Sequence, residues 1–107
     1  MDLNQLENTY LEDRKHYNDQ LEELHYYKKQ GVMAIDDLAE RSHYYLRQLD
    51  SDEVDFSQVH HYLEGERSAF ELSIKKEEIK INSTLEELET HYKRDRQRQE
   101  ERGVDKA

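Results

Sequence analysis

The 107-residue sequence predicts an all-α fold, an antiparallel two-helix hairpin of coiled-coil character, and three observations predict it. Apolar residues recur at three- and four-residue steps through both halves, proline is absent, and one acidic stretch interrupts the pattern near the middle. Charged residues make up 39% of the chain and apolar ones 34%, against about 45–50% apolar in an ordinary globular domain. Such a chain is poor in core and rich in solvated surface. Its net charge of −10 would also suit disorder, but a disordered segment has no reason to keep a helical period.

The first helix is expected over residues 3–49. At about 100° per residue, Leu3, Leu6, Tyr10, Tyr17, Leu21, Leu24, Tyr27, Ile35, Leu38, Tyr45 and Leu49 fall in one inward stripe. Asp2 followed three residues later by Gln5 forms a capping box at its start. Gly31 sits inside the periodic run with no capping residue after it to restart a helix. One continuous helix is therefore expected, tolerating the glycine at about 1 kcal/mol relative to alanine.

Residues 50–55 read as the turn, because "LDSDEVDFSQ" breaks the stripe with acids and serine. The second helix is expected over 56–102, with Asp55 and Gln58 repeating the capping-box pattern. Its inward stripe is Phe56, Val59, Leu63, Phe70, Ile74, Ile81, Leu85, Leu88 and Tyr92. Gly103 suits the left-handed position just past a helix end, leaving 103–107 as a frayed tail. Two helices of matching length, each about 70 Å long, with a connection this short, favour an antiparallel pair in one domain.

Tyrosine occurs eight times, against two phenylalanines and no tryptophan, and "HYY" stands at both 25–27 and 43–45. Eighteen residues are five full turns, so both copies point the same way. Tyr27 and Tyr45 are expected in the inward stripe, with His25 and His43 on the flank. Tyr26 and Tyr44 point outward, about 27 Å apart along the helix, with Met33 between them. On the second helix Tyr62, Gly65, Ala69, Leu72 and Ile79 form a further line roughly opposite the inward one. Small residues at 65 and 69 beside larger ones would let another helix approach. A hairpin covers each inward side chain on one side only, so the fold is expected to be completed by partner helices. Tyr26, Met33, Tyr44, Tyr62, Gly65, Ala69, Leu72 and Ile79 are the candidate partner-binding residues.

Other chemistries find little support. Glu22-x-x-His25 and Glu40-x-x-His43 have the spacing used by di-iron carboxylate bundles, and His60 and His61 lie near Glu64. These pairs fall on the flank or outside, and 26 acids make chance matches common, so solvated helix pairs are expected and no metal site. There is no cysteine, no phosphate-binding glycine loop and no nucleophile motif. No catalytic residue and no cofactor are expected, and the chain reads as no enzyme. Acidity argues against nucleic acid, and the basic "KRDRQRQEER" is better explained as cations near a helix C-terminus. The longest apolar run, "VMAI", cannot span a membrane, and the acidic start is no signal peptide.

The stretch "FELSIKKEEIKINSTLEELETHYKRDRQ", Phe70 to Gln97, resembles the LXG-associated α-helical proteins, specifically the second type of small companion encoded beside LXG toxins in Gram-positive type VII secretion systems. The first helix matches in general character. The resemblance implies a non-enzymatic targeting factor or chaperone that packs on the helical N-terminal LXG domain of a toxin and helps present it for export. It also implies a cytoplasmic location before export, or secretion together with the toxin. The turn lacks the Trp-x-Gly of the related WXG hairpins, and Tyr92 and Asp95 stand one residue too close for the Tyr-x-x-x-Asp/Glu export signal. A second small helical companion that supplies the signal is therefore implied. The residues alone leave another reading open, a self-associating coiled-coil adaptor or scaffold whose hairpins form a four-helix homodimer.

Overall fold

The computed structural model of the chain describes residues 2–48 and 53–105. It is an all-α helical hairpin of α1, Leu3–Gln48, and α2, Glu53–Asp105. α1 begins as its capping box dictates. The Gln5 backbone N–H donates to Asp2 Oδ1 at 2.8 Å, and the Asp2 N–H donates to Gln5 Oε1 at 3.2 Å. Two otherwise orphaned donors are thus satisfied reciprocally.

Contacts gather the helices into two compact units, one made of Met1–Glu23 with Glu78–Ala107 and the other of Leu24–Glu77. In the terminal unit Tyr10 stacks on Tyr92, with ring centroids 4.2 Å apart and planes 9° from parallel. Leu6 shares a shallow cleft with Asp95 and Arg98, while Tyr10 and Asn18 share one with Asn82 and Glu89. In the central unit Gly31 faces Phe70, Asp36 pairs with Arg67, and His43 lies 4.2 Å from Phe56 between ring centroids. Within each unit the partner's number falls as the first rises, so the pairing is antiparallel.

The α2 stripe is seated as its periodicity predicts. Leu63 and Ile74 are buried, and Phe56, Val59, Phe70, Ile81, Leu85, Leu88 and Tyr92 are half-buried. α1 departs from expectation in the central unit. Tyr27, Leu38 and Tyr45 are 63%, 51% and 61% exposed, and the seam is lined by the expected Leu24 and Ile35 together with Gly31, Val32, Ala39, Ser42 and Leu46, all half-buried. The three larger residues lie about 65–85° around the helix from the middle of that lining. Phe70 and the buried Leu63 and Ile74 of α2 supply bulk in the seam, so small α1 residues fit opposite them and large ones are left at the side. Leu3, at the first turn, is also exposed, at 44%.

Gly31 explains itself here. α1 runs through it unbroken, and a methyl group at that position would fall inside the van der Waals envelope of the Phe70 ring. The glycine is an accommodation of a ring, and its helix-propensity cost is the consequence.

Both ends of α2 correct the sequence reading. The helix already includes Glu53, so Asp55 is a first-turn residue and does not cap it. Acids are as favourable in the first turn as at the cap, because the N-terminal end of the helix dipole attracts negative charge. At the other end the helix continues through Gly103 to Asp105, with Arg102 in its last turn. Gly103 takes no left-handed conformation and meets nothing within 4 Å of an added Cβ. Leu49, residues 50–52 of the expected turn and the last two residues of the expected tail lie outside the described residues.

Candidate functional site

Two helices that meet along one seam must each turn another face to water, and here that face is not uniformly polar. On α1 of the central unit, Tyr26, Met33 and Tyr44 are 62%, 54% and 59% exposed. On α2 of the same unit Tyr62 and Leu72 are 65% and 54% exposed, with Gly65 and Ala69 also exposed. Ile79, 56% exposed, belongs to the terminal unit. All eight residues singled out from the sequence therefore face solvent. Seven of them lie on the central unit.

The two helical glycines behave oppositely. Gly31 is closed over by Phe70, whereas an added Cβ at Gly65 would meet nothing within 4 Å. Packing within this chain does not require a glycine at 65. What the missing side chain does is lower the surface between Tyr62 and Ala69, leaving room for the backbone of another helix to come close.

Sequence reasoning missed two of the five exposed tyrosines, and Leu38 beside them. Tyr27, Leu38 and Tyr45 add to the exposed set on α1, and Tyr44 and Tyr45 lean edge-on against each other with centroids 5.7 Å apart. The sequence carries only a faint signal of this. Gly31, Ala39 and Ser42 mark a line along which helices can approach closely, and that line runs beside the Tyr27–Leu38–Tyr45 line.

His43 of the doubled motif, like His60 and His16, finds aromatic company. His43 tilts onto Phe56 at 33° between ring planes, and Phe56 in turn stacks with His60, centroids 5.9 Å apart. His16 packs edge-on against Tyr17 and shares a 3.1 Å hydrogen bond with the Gln20 side chain. Among the described residues no group of three or more His, Asp or Glu side chains is placed to hold a metal ion. A shallow groove of about 360 Å³ is lined by Glu40, His43, Tyr44, Arg47 and Gln48, all on α1.

Charge is organised along the helices. Arg41 pairs with Asp37, Lys93 with Glu89 and Arg96 with Glu100, each at 3.1 Å and each four residues apart. Arg67 also crosses the seam, donating to Asp36 Oδ1 at 2.9 Å and to Glu71 Oε1 at 3.1 Å. The hydrogen bond to Glu71 first, and the charge of Asp36 second, hold the Arg67 guanidinium above the ordinary arginine pKa. The Glu100 hydrogen bond does the same for Arg96, with the charge of Tyr92 next.

Among the described residues no helix is long and apolar enough to cross a membrane. The clefts described among these residues are shallow and open. What the helices display is aromatic and aliphatic side chains on otherwise polar outer faces. No protein-family model, no curated protein and no solved structure matches the chain.

Proposed function

We propose that this chain is a non-enzymatic companion of a type VII secreted toxin, packing beside the toxin's helical LXG domain and presenting it for export. The observation that carries the reading is the outward α2 line of the central unit. Tyr62 and Leu72 are more than half exposed there, beside an open Gly65 and an exposed Ala69. Large apolar side chains flanking small ones are what a helix needs in order to dock on another helix. A chain with only two buried apolar side chains among its described residues gains much from such a cover. The likeness of Phe70–Gln97 to the LXG-associated companions supplies the partner's class. Tyr26, Met33 and Tyr44 offer a second strip to the same domain or to a second small companion. In this reading the chain acts in the cytoplasm before export, or leaves together with the toxin.

The test is co-expression with the helical N-terminal domain of an LXG toxin encoded beside this chain. Tyr62→Glu with Leu72→Glu should abolish co-purification while leaving helical content unchanged by circular dichroism. Retention of the toxin domain by a folded double variant would overturn the assignment of this face.

A further inference from the structure

The exposed line that sequence reasoning placed in the seam has a use of its own. Tyr27, Gly31, Ala34, Leu38, Arg41 and Tyr45 follow one another at steps of four and three, the spacing of a coiled-coil contact lane. All lie in the central unit and, apart from the half-buried Gly31, all are exposed. The lane stands about 85° from the middle of the α1 side that faces α2, open to a second neighbour.

From this lane we infer that the protein self-associates through α1, the lane of one copy packing antiparallel on the same lane of a second copy about a two-fold axis near residue 36. The occupant follows from size and charge. Reversal about that point sets Tyr27 against Tyr45 and the small Ala34 against Leu38, while Arg41 comes level with Gly31, whose own side is filled by the Phe70 ring. The Ala34–Leu38 contacts then match a small residue with a large one. A parallel pairing would instead set Leu38 on Leu38 and Arg41 on Arg41, placing like charges together in the interface. In the antiparallel register the two Arg41 residues stand about 15 Å apart along the axis.

Charge also separates this segment from the rest of the molecule. Leu24–Gln48 holds four basic residues (Lys28, Lys29, Arg41, Arg47) and three acidic ones (Asp36, Asp37, Glu40), a net +1 in a chain of net −10. Two copies meeting along residues 3–23 or 53–77 would bring acidic surfaces together; meeting here they do not. Asp37, which approaches its own copy at the axis, is already neutralised by Arg41 at 3.1 Å. The α2 line proposed for the toxin domain is not used, so the two associations are compatible and are tested by different variants.

Sedimentation equilibrium of the full chain should show a dimer at tens of micromolar, and Leu38→Glu should weaken it at least about tenfold with helical content retained. Register is tested without relying on that variant. The chain has no cysteine, so Tyr27→Cys and Tyr45→Cys each introduce a single reporter. Under mild oxidation an equimolar mixture of the two should form covalent dimer at least about tenfold faster than either alone, since only the mixture juxtaposes the thiols. A chain monomeric at about 100 μM, or single variants that cross-link as fast as the mixture, would overturn the inference, whichever way the toxin-domain experiment falls.

Discussion

The terminal and central units are built from the same two helices, yet they use their large side chains in opposite ways. In the terminal unit the aromatic pair faces inward, Tyr10 on Tyr92, and only Leu3, Leu11 and Ile79 are large apolar residues exposed among the described ones. The central unit holds both buried residues, Leu63 and Ile74, and also eight exposed ones: Tyr26, Tyr27, Met33, Leu38, Tyr44, Tyr45, Tyr62 and Leu72. The tighter seam and the greasier surface coincide. Small residues inside α1 let α2 come close, and the aromatic mass that does not fit between the helices is displayed instead. An interaction surface can thus arise from the way a seam is packed.

If the central seam is the tighter one, truncation there should hurt most. Ile74→Ala removes a side chain only 9% exposed and should cost about 2–3 kcal/mol, at the low end for buried isoleucine because the surroundings can relax. Leu88→Ala, at a half-buried place in the terminal unit, should cost about 1–2 kcal/mol, its loss of burial being partial. Urea unfolding followed by circular dichroism at one fixed protein concentration measures both. Equal losses would mean that the two seams are energetically alike and that the comparison has no consequence for stability.

The two glycines of the central unit sharpen the point by sign. Gly65→Ala meets open space and should stabilise by up to about 1 kcal/mol, the helix propensity of alanine over glycine. Gly31→Ala gains the same propensity but must displace the Phe70 ring. Overpacking of about 1–3 kcal/mol outweighs that gain, leaving a net loss of about 1 kcal/mol. Trimming the ring with Phe70→Leu should turn Gly31→Ala from a loss into a gain within that background. Thermal melting of the three variants and the two parents is sufficient. A stabilising Gly31→Ala in the presence of Phe70 would mean that the ring moves aside freely, and the close approach at this point would not matter.

Much of this was legible before any coordinates. Periodicity alone gave the whole α2 stripe, because Phe56, Val59, Leu63, Phe70, Ile74 and Ile81 are large, apolar and regularly spaced. Asp2 and Gln5 announced their capping box because it is purely local chemistry. The α1 seam was misread between residues 27 and 45 because a hydrophobic stripe is found by looking for large residues. Here the inward positions are Gly31, Ala39 and Ser42, which carry almost no such signal. Asp55 and Gly103 misled for a related reason, since caps and stops are only preferences, and the helix extends beyond both positions. Of the candidate surface, Tyr26, Met33, Tyr44, Tyr62 and Leu72 were readable as the positions opposite a clear stripe. Tyr27, Leu38 and Tyr45 were not, because their exposure depends on how closely α2 approaches.

The smallest effects concern the clasp each unit places across its seam, and salt should tell the two apart. The terminal clasp is the Tyr10–Tyr92 stack and the central one the Arg67–Asp36 ion pair at 2.9 Å. A double-mutant cycle on Tyr10→Leu and Tyr92→Leu should return a coupling of about 0.5–1.5 kcal/mol, typical of aromatic pairs beyond their buried area. That coupling should be unchanged by salt, since ring contact involves no net charge. The matching cycle on Arg67→Gln and Asp36→Asn should give a smaller coupling that shrinks toward zero in about 1 M salt, where the screening length is near 3 Å. Raising pH should not release it. The guanidinium pKa lies above its ordinary value, so the favourable protonated form persists at every pH below the pKa of unfolded arginine. An Arg67–Asp36 coupling that survives high salt would show that the central clasp is shielded from water, and the central unit would then be less open along its seam edge than its exposed tyrosines suggest.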